Sequence, residues 1–100
     1  MYVFVRLDLS SAQRIVQATH AAIEATRYLL PVEFDHPHLV LIGLSDQEAF
    51  TSLCALLERN QINYRLFFEP DLNNELTALA TEPIADGQQR LFRRYHLLGE

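Results

Sequence analysis

One hundred residues, 49% hydrophobic and 21% charged, make one globular domain and leave no room for a second core. A formal net charge of −5 argues against a strong, indiscriminate grip on nucleic acid. No stretch approaches the ~20 apolar residues that span a bilayer, and Met1-Tyr2-Val3-Phe4-Val5-Arg6 lacks the basic start of a signal peptide. A soluble, cytoplasmic chain with no membrane partner is the expectation.

Tyr2 to Leu9 alternates, with Val3, Val5 and Leu7 on one side and Phe4 and Arg6 on the other, which predicts a strand. Ser10 and Ser11 supply N-cap chemistry for a helix running to about Leu29, and Pro31 stops it. Ala12, Ile15, Val16, Thr19, Ala22, Ile23 and Thr26 recur at three- and four-residue steps and predict its buried stripe. Ala18, Ala21, Ala22 and Ala25 allow close approach to a sheet.

After a polar connection at 32–37, His38 to Leu44 is a nearly continuous apolar run, the pattern of a central strand covered on both faces. Ser45 or Asp46 caps a second helix whose inner stripe is Phe50, Leu53, Cys54, Leu57 and Leu56, and Asn60 ends it. Cys54 is the only cysteine, so no internal disulfide forms, and its apolar neighbours suggest a reduced core thiol. Ile62 to Phe68 predicts a third strand with Tyr64, Leu66 and Phe68 on one side. Glu69 to Asn74 is turn chemistry.

Glu75 to Thr81 predicts a fourth strand, with Leu76, Ala78 and Ala80 alternating against Thr77, Leu79 and Thr81. Gln88 to Arg94 reads as a short helix before an extended Tyr95-His96-Leu97-Leu98. The order β-α-β-α-β-β implies a single-domain α/β fold, a mixed four-stranded sheet with helices packed on both faces.

The run Val5-Arg6-Leu7-Asp8-Leu9, followed by Gln17-Ala18-Thr19-His20-Ala21, resembles the opening of the type 2 peptidyl-tRNA hydrolases. In that family an R-x-D-L strand end leads into a helix carrying Q-x-x-H-A. The family's second signature, an Asp, a tight turn and a Thr opening the last strand, is matched by Asp71 and Thr77. Arg90-Leu91-Phe92-Arg93-Arg94 and His96-Leu97-Leu98 resemble its closing helix and ending. The likeness covers nearly the whole chain.

Two features depart from the family pattern. Lys is absent from this sequence, and all eight basic residues are Arg. Aligned on Gln17, Ser11 and Gln13 stand where the family carries lysines, one of them implicated in catalysis. Arg14 is the nearest cation, turned about 100° around the helix from Gln13. The step from Asp71 to Thr77 is also longer than the family's, and Asn73-Asn74 replaces its Gly, although Asn tolerates the left-handed backbone of such a turn.

The resemblance implies an esterase that cleaves the bond between a peptide and the terminal ribose of tRNA, without a cofactor. Asp71, Thr77 and His20 would be its catalytic residues. Gln13, Arg14, Gln17, Arg6, Asp8, Arg93 and Arg94 would hold the substrate. Read from the residues alone, Asp71 serves equally well as a turn-stabilising Asp, whereas Thr77 reads first as a packed strand residue and His20 first as a structural hydrogen-bonding group. Gln13, Gln17, His20 and Glu24 share one helix face, ordinarily the solvent side. His36, His38 and Asp35 cluster without enough ligands for a metal site. Two other readings remain: a binding or regulatory domain that kept the fold and lost the reaction, and an interaction module assembling as a homodimer.

Overall fold

The computed structural model describes residues 1–33 and 35–98. In chain order they form β1 (Tyr2–Arg6), α1 (Ser11–Leu29), β2 (Val40–Leu44), α2 (Gln47–Arg59), β3 (Tyr64–Glu69) and β4 (Glu75–Thr81). Short 3-10 turns lie at Pro70–Leu72 and Gln89–Phe92. The strands make one mixed sheet in the order β2-β1-β4-β3. β2 is parallel to β1, and β4 is antiparallel to both β1 and β3. The connection expected at 32–37 includes Phe34, which lies outside the described residues.

Strand alternation sends side chains into two unlike cores. On one face Phe4, Ile42, Leu44 and Leu79 pack against Phe50, Leu53 and Leu57, the inner stripe of α2. That stripe is the one its spacing predicts, and the Asp46 side chain accepts the Ala49 N–H at 2.9 Å to start the helix. On the other face Met1, Val3, Val5, Ala78 and Ala80 meet Ala21 and Ala25 of α1. Helices therefore cover both faces, one with large side chains and one with small.

α1 begins and ends where its caps say, with Ser10 Oγ accepting the Gln13 N–H, but it is turned away from the expected stripe. Its buried residues are Gln17, Ala21 and Ala25, while Ile15 is 68% and Ile23 57% exposed. The cause lies in the sheet. A face floored by Ala78 and Ala80 lets a helix approach closely only through its own small residues, and Gln17 finds a partner there. Ile15, Val16 and Ile23 are left outside, so the stripe expected to be buried is the exposed one.

β2 corrects a second expectation. It lies at the edge of the sheet, and α1 packs over β1, β4 and β3, so Leu39 and Leu41 on that face are exposed. Between them and α1 runs an apolar groove of about 550 Å³, lined by Val3, Ala22, Ile23, Leu39 and Leu41 among others. The C-terminal segment closes the outer edge: Leu98 N donates to Leu41 O at 2.9 Å and Leu97 bridges Ile42. The helix expected at Gln88 to Arg94 is a 3-10 turn that inserts Phe92 beside Tyr2 and Phe4. Among the described residues no helix is long and apolar enough to cross a membrane.

Candidate functional site

Because β4 is antiparallel to both its neighbours, β1, β2 and β3 all run the same way, and the loops that follow them emerge at one end of the sheet. Those loops carry Leu7 to Ser10, Ser45 to Asp46, and the Asp71 turn. α1 starts from the same end. The Asp71 turn and the first turns of α1 therefore share one end, where ligand sites of α/β sheets form.

At the centre of that end, β4 departs from regular pairing. Phe67 pairs with Ala78 and Phe68 with Leu76, leaving Thr77 as the extra residue of a bulge. Strict alternation would aim Thr77 at α2. The bulge turns it instead toward α1, where its Oγ1 donates to Gln17 Oε1 at 2.6 Å. Gln17 Nε2 in turn donates to Gln13 Oε1 at 3.1 Å. Gln17 and Thr77 are both fully buried, and among the described residues every buried side-chain polar atom has a partner. The line Gln13–Gln17–Thr77 thus leads from the surface to the sheet, with the Gln13 amide at its exposed end.

His20 is exposed and stacks on the Phe67 ring, with centroids 4.5 Å apart and planes 6° from parallel. Glu24, one turn on, meets Arg65 at 3.4 Å. The polar face expected to be the solvent side of α1 therefore borders β3. Phe67 was the missed partner. Its position opposite to Tyr64 and Leu66 in the alternation is the signal that places it beneath α1.

Asp71 is exposed in its 3-10 turn. Asn73 and Asn74 follow with φ of 55° and 57°, the left-handed geometry that the Asn pair was expected to supply. Asn74 N closes the turn on Glu69 O at 2.9 Å.

The nearby guanidinium groups are engaged within the protein. Arg6 donates through Nε and Nη2 to Asp8 at 2.9 and 2.6 Å, and through Nη1 to Leu76 O at 3.3 Å. It also lies 3.7 Å from Glu75, so it ties the end of β1 to the start of β4. Arg14 folds back to donate to Leu7 O and Leu9 O, holding the loop between β1 and α1. Arg94 is different. It is exposed and lines a cleft of about 360 Å³ with Leu7, Ser45 and His96, at the β1–β2 side of this same end. Its nearest partner is the neighbouring Tyr95. Arg93 is exposed on the same segment.

The Arg6 hydrogen bonds hold the Asp8 carboxyl below its ordinary range, and Asp8 raises Arg6 in return. Because the folded value of Asp8 is the lower one, its pairing contributes stability above the unfolded value and loses it as the pH falls through the folded value. Below about pH 4 the melting temperature of the wild type should fall more steeply than that of Asp8→Asn. Parallel curves would show that the pair contributes nothing. Asp8 is more than half exposed, so the effect is small.

Burial pushes the Cys54 thiol up, which keeps it protonated and unreactive beside Tyr64, although Cys54 is half-buried rather than fully in the core. His36 lies 3.2 Å from Asp35 on the surface, and among the described residues no cluster has the ligands for a metal ion. No known protein family and no characterised protein matches this sequence.

Proposed function

We propose that this chain is an ester hydrolase of the peptidyl-tRNA hydrolase type, acting at the end of the sheet that the Asp71 turn shares with the first turns of α1. The observation that carries the reading is the Thr77–Gln17–Gln13 line, which links the strand after the Asp71 turn to the polar face of α1. In this reading Asp71, exposed at that end, takes the proton of a water that attacks the ester carbonyl and returns it to the ribose oxygen as the acyl–oxygen bond breaks. The Gln13 amide N–H₂ donates to the oxygen on which negative charge develops. Thr77 is too deep to touch that water. It is a positioning residue that fixes Gln17 and, through it, Gln13.

Arg94 supports the same assignment from the far side of the sheet. β2 and β3 lie three strand spacings apart, ~14 Å, about the length of four stacked nucleotides. An acyl end at Asp71 leaves the preceding phosphates within reach of Arg94 and Arg93. His20, stacked on Phe67, borders this path rather than joining the reacting atoms.

A second reading is favoured by a specific observation: Arg6 and Arg14 are bound to the protein's own groups, and Asp8, Glu69, Asp71 and Glu75 stand at this end. A domain of the same fold that binds a partner without turnover fits that charge. Incubation with an N-blocked aminoacyl-tRNA separates the two. Hydrolysis predicts release of the blocked amino acid, with Arg94→Ala raising KM several-fold at unchanged kcat and flattening the salt dependence of KM. Saturable binding with no release at any protein concentration would replace the first reading with the second.

A further inference from the structure

The two edges of the sheet are finished differently. The β2 edge is closed by Leu97 and Leu98 of the same chain. On the outer side of β3 no strand pairs among the described residues. Such edges are normally blunted by Lys, Pro or an inward-pointing charge. Tyr64-Arg65-Leu66-Phe67-Phe68 has neither Lys nor Pro, and Arg65 lies against Glu24 and the Tyr28 ring of α1.

The free backbone groups can be assigned. Glu82 N donates to Asn63 O, and Asn74 N to Glu69 O, so odd-numbered residues of β3 turn their carbonyls toward β4. The bulge is in β4, which leaves the alternation of β3 regular. Leu66 and Phe68 therefore present their N–H and C=O groups outward. Phe68 is 49% exposed, a large apolar side chain next to that open ladder.

We propose that β3 pairs antiparallel with β3 of a second copy of this chain about a two-fold axis at Phe67, joining two sheets into one of eight strands. The register follows from chemistry. Centring on Phe67 sets Leu66 opposite Phe68 of the second copy, both with outward backbone groups, so each such pair exchanges two hydrogen bonds. It sets Arg65 opposite Glu69 of the second copy, twice by symmetry. Within its own chain Glu69 has no cationic partner among the described residues. The ladder ends where Tyr64 meets Pro70 of the second copy, which has no N–H to offer. A register centred on Leu66 sets Arg65 against Phe67 and Glu69 against Asn63, so no opposite charges meet, and one centred on Phe68 sets the outward backbone of Leu66 against Pro70, which has no N–H.

Sedimentation over a range of concentrations tests the assignment. The wild type should dimerise, and Glu69→Arg should weaken the dimer about tenfold by setting two guanidinium groups opposite each other. Phe68→Asp should abolish dimerisation with the far-ultraviolet spectrum of the monomer unchanged. Amide exchange at Leu66 and Phe68 should slow as protein concentration rises. A strict monomer at every concentration overturns the proposal. So does a dimer indifferent to Glu69→Arg and Phe68→Asp but broken by Ile23→Asp, which would place the second copy on the exposed stripe of α1.

Discussion

Replacing Asp71 with alanine is expected to lower release of peptide from peptidyl-tRNA about 10²- to 10⁴-fold, the ordinary contribution of a general base. The melting temperature should stay within about a degree, because Asp71 is exposed and its side chain holds no other part of the fold. Pairing the two measurements matters. An Asp that merely stabilises its own turn would lower stability and leave turnover intact, since Asn73 and Asn74 adopt the left-handed geometry themselves. Asp71→Asn sharpens the distinction, because the amide keeps the turn-stabilising acceptor and loses the basicity. Full activity in Asp71→Asn would remove this carboxylate from the chemistry.

Thr77→Val should cost about 1–3 kcal/mol of stability, the penalty for leaving a buried acceptor unpaired when its donor is removed. For a domain of this size each kcal/mol corresponds to ~4–8 °C in melting temperature. Valine has nearly the shape of threonine, so the loss isolates the hydrogen bond to Gln17 Oε1 rather than a cavity. Adding Gln17→Leu should restore much of the stability, since removing both partners leaves no orphan. The same pair of variants separates stability from function. The double variant should remain folded yet turn over slowly, because Gln13 has lost the neighbour that orients its amide. Strict additivity of the two substitutions would show that the two side chains do not act as a pair.

The local chemistry of the sequence accounts for the ends of α1, α2 and β4, each marked by caps, prolines or asparagines that act within a few residues. The α2 stripe was equally legible, because large apolar residues at helical spacing have only one place to go. α1 was not. Its sequence carries two faces of helical period, one of Ile and Val and one of Gln and Ala, and hydrophobicity alone selects the wrong one. The choice is made by residues some sixty positions away: Ala78 and Ala80 demand a small-residue contact, and the bulge at Thr77 provides the single donor a buried Gln17 requires. Matching the small residues of β4 to Ala21 and Ala25 is the sequence signal that could have found it.

The edge position of β2 was hidden for a related reason. An apolar run signals burial by any neighbour, and here Leu97 and Leu98 cover its rim while its α1-side face stays open. For the candidate site, the sequence pattern placed Asp71, Thr77, Gln17 and Gln13 in one region through the resemblance. It did not reveal that Gln17 is buried with Thr77, nor that Arg6 and Arg14 are bound to backbone and carboxylates. Those facts depend on pairing between distant segments.

If one end of the sheet forms a single ligand site, nuclear magnetic resonance titration of the labelled protein with an acylated tRNA acceptor stem will show it. Saturable shifts should appear together at the 70–77 turn, at Gln13 and Gln17, and at Arg94 and His96. Shifts confined to the groove beside Leu39, Leu41 and Ile23, or none at stem concentrations that saturate a known hydrolase, would contradict it.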